Sequence, residues 1–249
     1  MQIKNLPTID GRYWVAIVVA SMAGANTGDF AARYLHLGHT LGLVPLALIF
    51  CLIVWLEQRS KVATEAYYWL AIIVLRTGAT NLADLATHDL KLGYGLTLAG
   101  LTVFLIAVLI FERMREGSPE TARMDDRPKL PATNLPYWIA MLTAGTLGTA
   151  AGDWVADELA LGVGWGSVFT GAIFLAVLFV SIRFRRMTIP WYWASIVAAR
   201  TAGTVMGDFL ANRHGLSLGL PISTACTLTL LACIVIFWCS SNTAKSAPF

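Results

Sequence analysis

The sequence predicts an all-α integral membrane protein. Eight transmembrane helices are expected, as four parallel two-helix repeats in two duplicated halves, with the aspartate-bearing odd helices forming the inner bundle. Three observations carry this. Of 249 residues, 57% are hydrophobic and only 13% charged, far from the balance of a soluble domain. Apolar runs near the roughly 20 residues needed to cross about 30 Å of hydrocarbon recur along the whole chain. A short pattern, an aromatic pair followed at a fixed distance by an aspartate, is written four times.

The eight runs cover about 12–33, 40–57, 67–87, 93–111, 135–156, 163–182, 190–211 and 218–239. The first follows Lys4 and Arg12 but carries Asp29 and lacks a small-residue cleavage site after a short apolar centre, so it is expected to stay in the mature chain. The odd-numbered runs hold the aromatic pairs Tyr13-Trp14, Tyr68-Trp69, Tyr137-Trp138 and Tyr192-Trp193, and fifteen residues after each Trp stands Asp29, Asp84, Asp153 or Asp208. Before the acids runs a small-xxx-small pattern, Gly24/Gly28, Ala79/Ala83, Gly148/Gly152 and Gly203/Gly207, which lets helices approach closely in lipid. Even-numbered runs such as LVPLALIFCLIVW and VFTGAIFLAVLFV carry almost no polar residues and suit a lipid-facing ring. A Leu eight residues after each acid, Leu37, Leu92, Leu161 and Leu216, completes the unit.

The Trp-to-Trp steps are 55, 69 and 55 residues, so a two-repeat unit was duplicated whole. The first half spans 1–111, the charged segment 112–131 is a cytoplasmic linker, and the second half spans 132–249. Repeats two and four also share an arginine, Arg76 and Arg200. Two crossings per repeat give every copy the same orientation. With loops assigned alternately, thirteen basic residues (Lys4, Arg12, Arg59, Lys61, Arg113, Arg115, Arg123, Arg127, Lys129, Arg183, Arg185, Arg186 and Lys245) face three (Arg33, Lys91 and Arg213). The positive-inside rule therefore puts both termini in the cytoplasm.

Gly28-Asp29-Phe30, Gly152-Asp153-Trp154 and Gly207-Asp208-Phe209 repeat one signature, from which Ala83-Asp84-Leu85 departs. By these motifs the chain resembles, over essentially its whole length, a bacterial family of multipass inner-membrane proteins of unknown function built from four copies of a Gly-Asp-aromatic repeat. The resemblance implies the architecture and a bacterial inner (plasma) membrane location, and it implies no activity.

With the Tyr-Trp pairs taken as an interfacial belt, fifteen residues at 1.5 Å rise carry each aspartate roughly 22 Å away, still inside the hydrocarbon. Ionisable residues at such depth normally face a bundle interior or water. In repeats two to four threonines lie four and seven residues before the acid, Thr80 and Thr77, Thr149 and Thr146, Thr204 and Thr201, which is one side of a helix within about 40°. Repeat one has Ala25, Met22 and nearby Asn26; repeat two adds Asn81. Carboxylate, hydroxyl and amide oxygens suit protons or hard cations, so a transport pathway lined by the four acids is expected, with Asp84, Asp153 and Asp208 as the ligands of any metal.

A second reading has Arg76 and Arg200, pointing inward to a carboxylate or carbonyl of a neighbouring helix, hold an anionic or zwitterionic solute while the acids carry protons. A third makes the Asp and Arg residues helix-to-helix glue. An enzyme ranks last, because no HExxH, nucleophile elbow or phosphate-cradling loop occurs. No cofactor is expected. Cys51, Cys226, Cys233 and Cys239 lie in apolar runs without metal-ligand or CxxC spacing, and His36, His39, His88 and His214 fall near the outer interface as plain interfacial residues. The expected partners are the lipid bilayer and a small ion or solute, with a homo-oligomer possible. A net charge of +3 spread beside the membrane runs argues against nucleic acid.

Overall fold

The computed structural model describes residues 6–60, 64–116, 133–183 and 188–245, with side chains of the final helix to Phe237. Lys4, Lys61, Arg123, Arg127, Lys129, Arg185 and Arg186, the side chains of Lys245 and Cys239, and linker residues 117–131 lie outside that set. Residues 112–116, assigned to the linker from sequence, continue the fourth helix instead.

Eight helices and no strand occur among the described residues: α1 (Gly11–Asp29), α2 (Gly38–Arg59), α3 (Ala66–Asp84), α4 (Gly93–Glu116), α5 (Leu135–Asp157), α6 (Gly162–Arg183), α7 (Ile189–Ala211) and α8 (Gly219–Lys245). In α1 the Asp10 carboxylate accepts the Tyr13 N–H, and in α5 the Asn134 side chain accepts the Tyr137 N–H, at 3.0 and 2.9 Å. Each caps a helix N-terminus that would otherwise leave donors bare. The cap thus sits three residues before the repeat's tyrosine and fixes its register.

Two-residue stops separate the helices. His36, Lys91, Ala160 and Ser217 take positive φ, each followed by Leu and then by a glycine also at positive φ, Gly38, Gly93, Gly162 and Gly219. This corrects the repeat unit: in the fourth copy the residue equivalent to Leu37 is Leu218, not Leu216. The connection there is two residues longer, and the Leu-Gly pair marks the equivalence better than a fixed count from the acid. In repeats one and two the helix runs past the aspartate into one π-helical turn, Phe30–Tyr34 and Leu85–Asp89. Repeats three and four have none.

α1, α3, α5 and α7 pack in a closed ring, each against the next and α7 against α1. Each outer helix covers mainly the inner helix that follows it: α2 lies on α3, α4 on α5, α6 on α7, and α8 returns to α1. Burial follows, with 61% of the best apolar window buried in α1 and α3 against 11–22% in α2, α4, α6 and α8. Six helices, all but α5 and α7, are long and apolar enough by composition to cross a membrane. α5 and α7 match them at 23 residues each and stand in the inner ring with α1 and α3.

Close approach depends on the small residues. A Cβ on Gly148 would lie 2.6 Å from Arg200 Cβ and 2.9 Å from the Val197 carbonyl, and one on Gly28 would lie 2.7 Å from Thr80 Cβ. The small-xxx-small pattern therefore forms the seams between inner helices.

Candidate functional site

Stepping four residues at a time along the inner helices gives five layers. The first is the tyrosines: Tyr13, Tyr68, Tyr137 and Tyr192 are 0–2% exposed, and their hydroxyls meet in a closed ring, Tyr13–Tyr68 at 3.0 Å, Tyr68–Tyr137 at 2.9 Å, Tyr137–Tyr192 at 3.1 Å and Tyr192–Tyr13 at 2.8 Å. A hydroxyl donates one hydrogen bond and can accept another, so the ring satisfies itself. This overturns the interfacial belt expected from sequence. The phenols turn into the axis, and each Trp packs edge-on against its own Tyr, at centroid distances of 5.1–5.3 Å. A tyrosine can be buried fully once its hydroxyl has a partner.

Ile17, Ile72, Met141 and Ile196, all 0–1% exposed, form the second layer and seal the bundle behind the ring. The third is Ser21, Arg76, Gly145 and Arg200. Arg200 reaches from α7 to every other inner helix: it donates to the Ser21 carbonyl of α1 at 2.7 Å, to the Arg76 carbonyl and Thr80 hydroxyl of α3 at 3.0 and 2.6 Å, and to the Thr149 hydroxyl of α5 at 2.9 Å. Arg76 is equally buried but finds neither carboxylate nor carbonyl. Its Nη2 lies 3.8 Å from Met141 Sδ, and its Nε and Nη1 have no hydrogen-bond partner. Gly145 and Met141 of the facing helix offer no oxygen side chain, and Arg200 already uses the carbonyls of this layer.

The fourth layer holds Ala25, Thr80, Thr149 and Thr204. Arg200 engages Thr80 and Thr149, whereas Thr204 Oγ1, 2% exposed, has no partner. The other threonines of the expected stripe have turned away. Thr77, Thr146 and Thr201 donate to carbonyls four residues back on their own helices, and Thr201 lines an apolar groove of about 500 Å³ between α4, α5, α6 and α7. Asn26 and Asn81 likewise face helix seams. Asn81 Nδ2 would lie 2.9 Å from a Cβ on Gly42 of α2, and Asn26 Oδ1 would lie 3.3 Å from one on Gly207 of α7. Both amides are buried without partners.

The aspartates form the fifth layer. Successive layers drift about 40° around each helix, which carries the carboxylates from the axis towards the seams. Arg33 Nη2 lies 3.4 Å from Asp29 and 3.8 Å from Asp84, and His39 Nε2 lies 3.4 Å from Asp84 while its Nδ1 meets Asp89 at 2.9 Å. Asp153 and Asp208 are half-buried and have no ion pair or hydrogen bond among the described residues. The sequence reading missed the partners Arg33 and His39. Arg33 is legible as an i,i+4 pair with Asp29; His39, a plain interfacial residue by sequence, comes from the start of α2 and is not.

Among the described residues no three His, Cys, Asp or Glu side chains stand together to hold a metal, so Asp84, Asp153 and Asp208 form no three-carboxylate centre. Cys51, Cys226 and Cys233 are free and exposed on the outer helices.

No curated protein and no solved structure matches the chain. A family model described as Repeat of Unknown Function (DUF347) does match, four times, at residues 12–63, 67–118, 136–187 and 191–243, the same four units that the tyrosine ring and the aspartates repeat. The chain belongs to this repeat family.

Proposed function

We propose that this protein is a membrane transport protein, a secondary transporter or channel for a small hard cation or a proton, bound at the aspartate end of the inner bundle. The observation that carries the reading is the pair Asp153 and Asp208: two half-buried carboxylates at one end of a helical membrane bundle that make no ion pair or hydrogen bond among the described residues. Such groups persist where they bind and release something positive. The layer of Ile17, Ile72, Met141 and Ile196 and the tyrosine ring close the other end, so flux requires that seal to open. On this reading the protein is not an enzyme, and it lies in the bacterial inner membrane with both termini and the tyrosine ring on the cytoplasmic side. Its partners are the bilayer and the ion, without nucleic acid, and copies can meet through the apolar outer helices.

One observation favours the anionic or zwitterionic solute instead, namely the unpartnered Nε and Nη1 of Arg76. Against it, Arg76 is sealed at 0% exposure and Arg200 is fully occupied by helix oxygens. The test is ion flux into vesicles containing the purified chain. Asp153→Asn and Asp208→Asn should each lower it by more than about tenfold, equivalent to about 1.4 kcal/mol, with thermal melting unchanged. Full flux of protons and metal ions in the double variant would end the reading.

A further inference from the structure

The ion-paired half of the aspartate end holds three titratable groups in contact, graded by exposure. The side chain of Asp89 at the rim is 45% exposed, that of His39 19% and that of Asp84 6%. His39 stands between the two acids, with Nδ1 2.9 Å from Asp89 Oδ2 and Nε2 3.4 Å from Asp84 Oδ2. That inner oxygen is buried and makes no hydrogen bond, a costly state for a carboxylate. Arg33 Nη2 stays 3.8 Å from it.

The arrangement is built at one seam. His39 follows the stop glycine Gly38, and the residues after the other three stop glycines are Tyr94, Val163 and Leu220. Tyr94 reaches the next inner helix in the same way and donates to Asp157 at 3.1 Å, but a phenol keeps its proton near neutral pH. Val163 and Leu220 have no proton to exchange. Of these four side chains an imidazole alone can take a proton on one ring atom while giving one up from the other.

We propose that Asp84 is a proton-binding site and that His39 relays its proton to and from solvent through Asp89. In the inward step, Asp89 gives the proton on its Oδ2 to Nδ1 of neutral His39, and the Nε2–H proton passes to Asp84 Oδ2. One O–H and one N–H bond break and one of each forms. Asp89 returns to a carboxylate, His39 is left neutral in its other tautomer, and Asp84 becomes a neutral acid. The same steps reversed release the proton without a ring flip. The 3.4 Å approach shortens as the proton is shared, because charge-assisted hydrogen bonds are shorter than neutral ones. A metal ion on the inner oxygen would meet the guanidinium and the imidazole, whereas a proton is delivered by one of them.

The charged and titratable groups around the relay are Asp29 and Arg33 from α1 and its π-turn, His36 from the stop before α2, His88 from the π-turn after α3 and Tyr94 from α4, with Asp153 and Asp208 in the same layer on α5 and α7. Arg33, which contacts Asp84, keeps its charge at every accessible pH. The relay goes beyond the transport reading, which rests on Asp153 and Asp208, and loss of either leaves the other standing.

The experiment is time-resolved infrared spectroscopy of the purified full chain through a rapid drop from about pH 8 to about pH 5, the range in which an imidazole exchanges protons. The native chain should gain a protonated-carboxyl band that is missing from Asp84→Asn and displaced in Asp84→Glu. His39→Ala should gain the same band at a rate lower by about tenfold or more, and imidazole added to the buffer should restore that rate, which a purely structural role of His39 would not allow. Asp89→Asn should slow the band less, since water at the rim can stand in for its carboxylate. A native spectrum with no band that Asp84→Asn loses and Asp84→Glu displaces overturns the site. A His39→Ala band that forms at the native rate, or a slow one that imidazole does not restore, overturns the relay.

Discussion

At one end of the inner bundle four identical tyrosines satisfy one another, whereas sixteen residues further along the same helices four identical aspartates do not. The difference lies in the groups. A hydroxyl is both donor and acceptor, so four of them close into a ring with 2.8–3.1 Å contacts and nothing left over. An ionised carboxylate only accepts, and four of them repel. The tyrosine end can therefore keep the symmetry of the repeats. The aspartate end cannot, and its partners are supplied unequally: Arg33 and His39 serve Asp29 and Asp84, while Asp153 and Asp208 receive none. Fourfold sequence symmetry gives fourfold structure only where the repeated side chain is complementary to itself.

The sharpest way to break this comparison lies between the ends. Among the described residues Arg200 ties all four inner helices together, so Arg200→Met, which leaves the Thr80 and Thr149 hydroxyls and two carbonyls without their donor, should cost at least the about 1–3 kcal/mol of one bare polar group and lower the melting temperature most of any single change. If Arg200→Met melts like the native chain, the two ends do not depend on a common staple.

The aspartates should then separate by pairs. Asn in place of Asp153 or Asp208 should reduce vesicle flux more than about tenfold, while Asn in place of Asp29 or Asp84 should leave most of the flux and instead weaken folding by about 1 kcal/mol or less, the usual worth of a partly exposed ion pair. Four equal flux losses would restore the symmetry denied here.

The tyrosines, in contrast, should behave alike. Each single Tyr→Phe substitution removes two links and leaves two neighbouring hydroxyls short of a partner, at a cost of about 1–3 kcal/mol, visible in thermal melting. A clear outlier among the four would show that the ring is not shared equally.

The smallest expected effect tests how complete the tyrosine end is. Glu65, beside the start of α3, has a carboxyl pushed above its ordinary value by burial and then by the neighbouring Asp10 charge, and its Oε2 lacks a partner. A carboxyl raised on folding contributes stability below its unfolded-state value that is lost as pH rises through the folded value. Glu65→Gln should thus melt slightly higher than the native chain near pH 8, by less than about 1 kcal/mol after solvent screening, and the gain should vanish towards pH 4. A gain that does not change with pH would assign the effect to packing.

The sequence by itself determined the membrane class, the four copies and the ring of odd helices inside even ones. Each of these depends on composition or on spacing along one helix, where 1.5 Å and 100° per residue leave little freedom. It did not determine that the aromatic pairs turn inward, that Leu218 replaces Leu216 as the fourth stop, that Thr201 and Asn81 face seams, or that Arg33 and His39 divide the acids into a paired and an unpaired half. Those outcomes depend on how each helix is rotated and crossed against its neighbours, set by glycine contacts such as Gly148 on Arg200 and Gly28 on Thr80. A rotation of one residue's worth moves a side chain from axis to seam. Only the packing of four helices at once decides which oxygen Arg200 reaches and which, like that of Thr204, it leaves free.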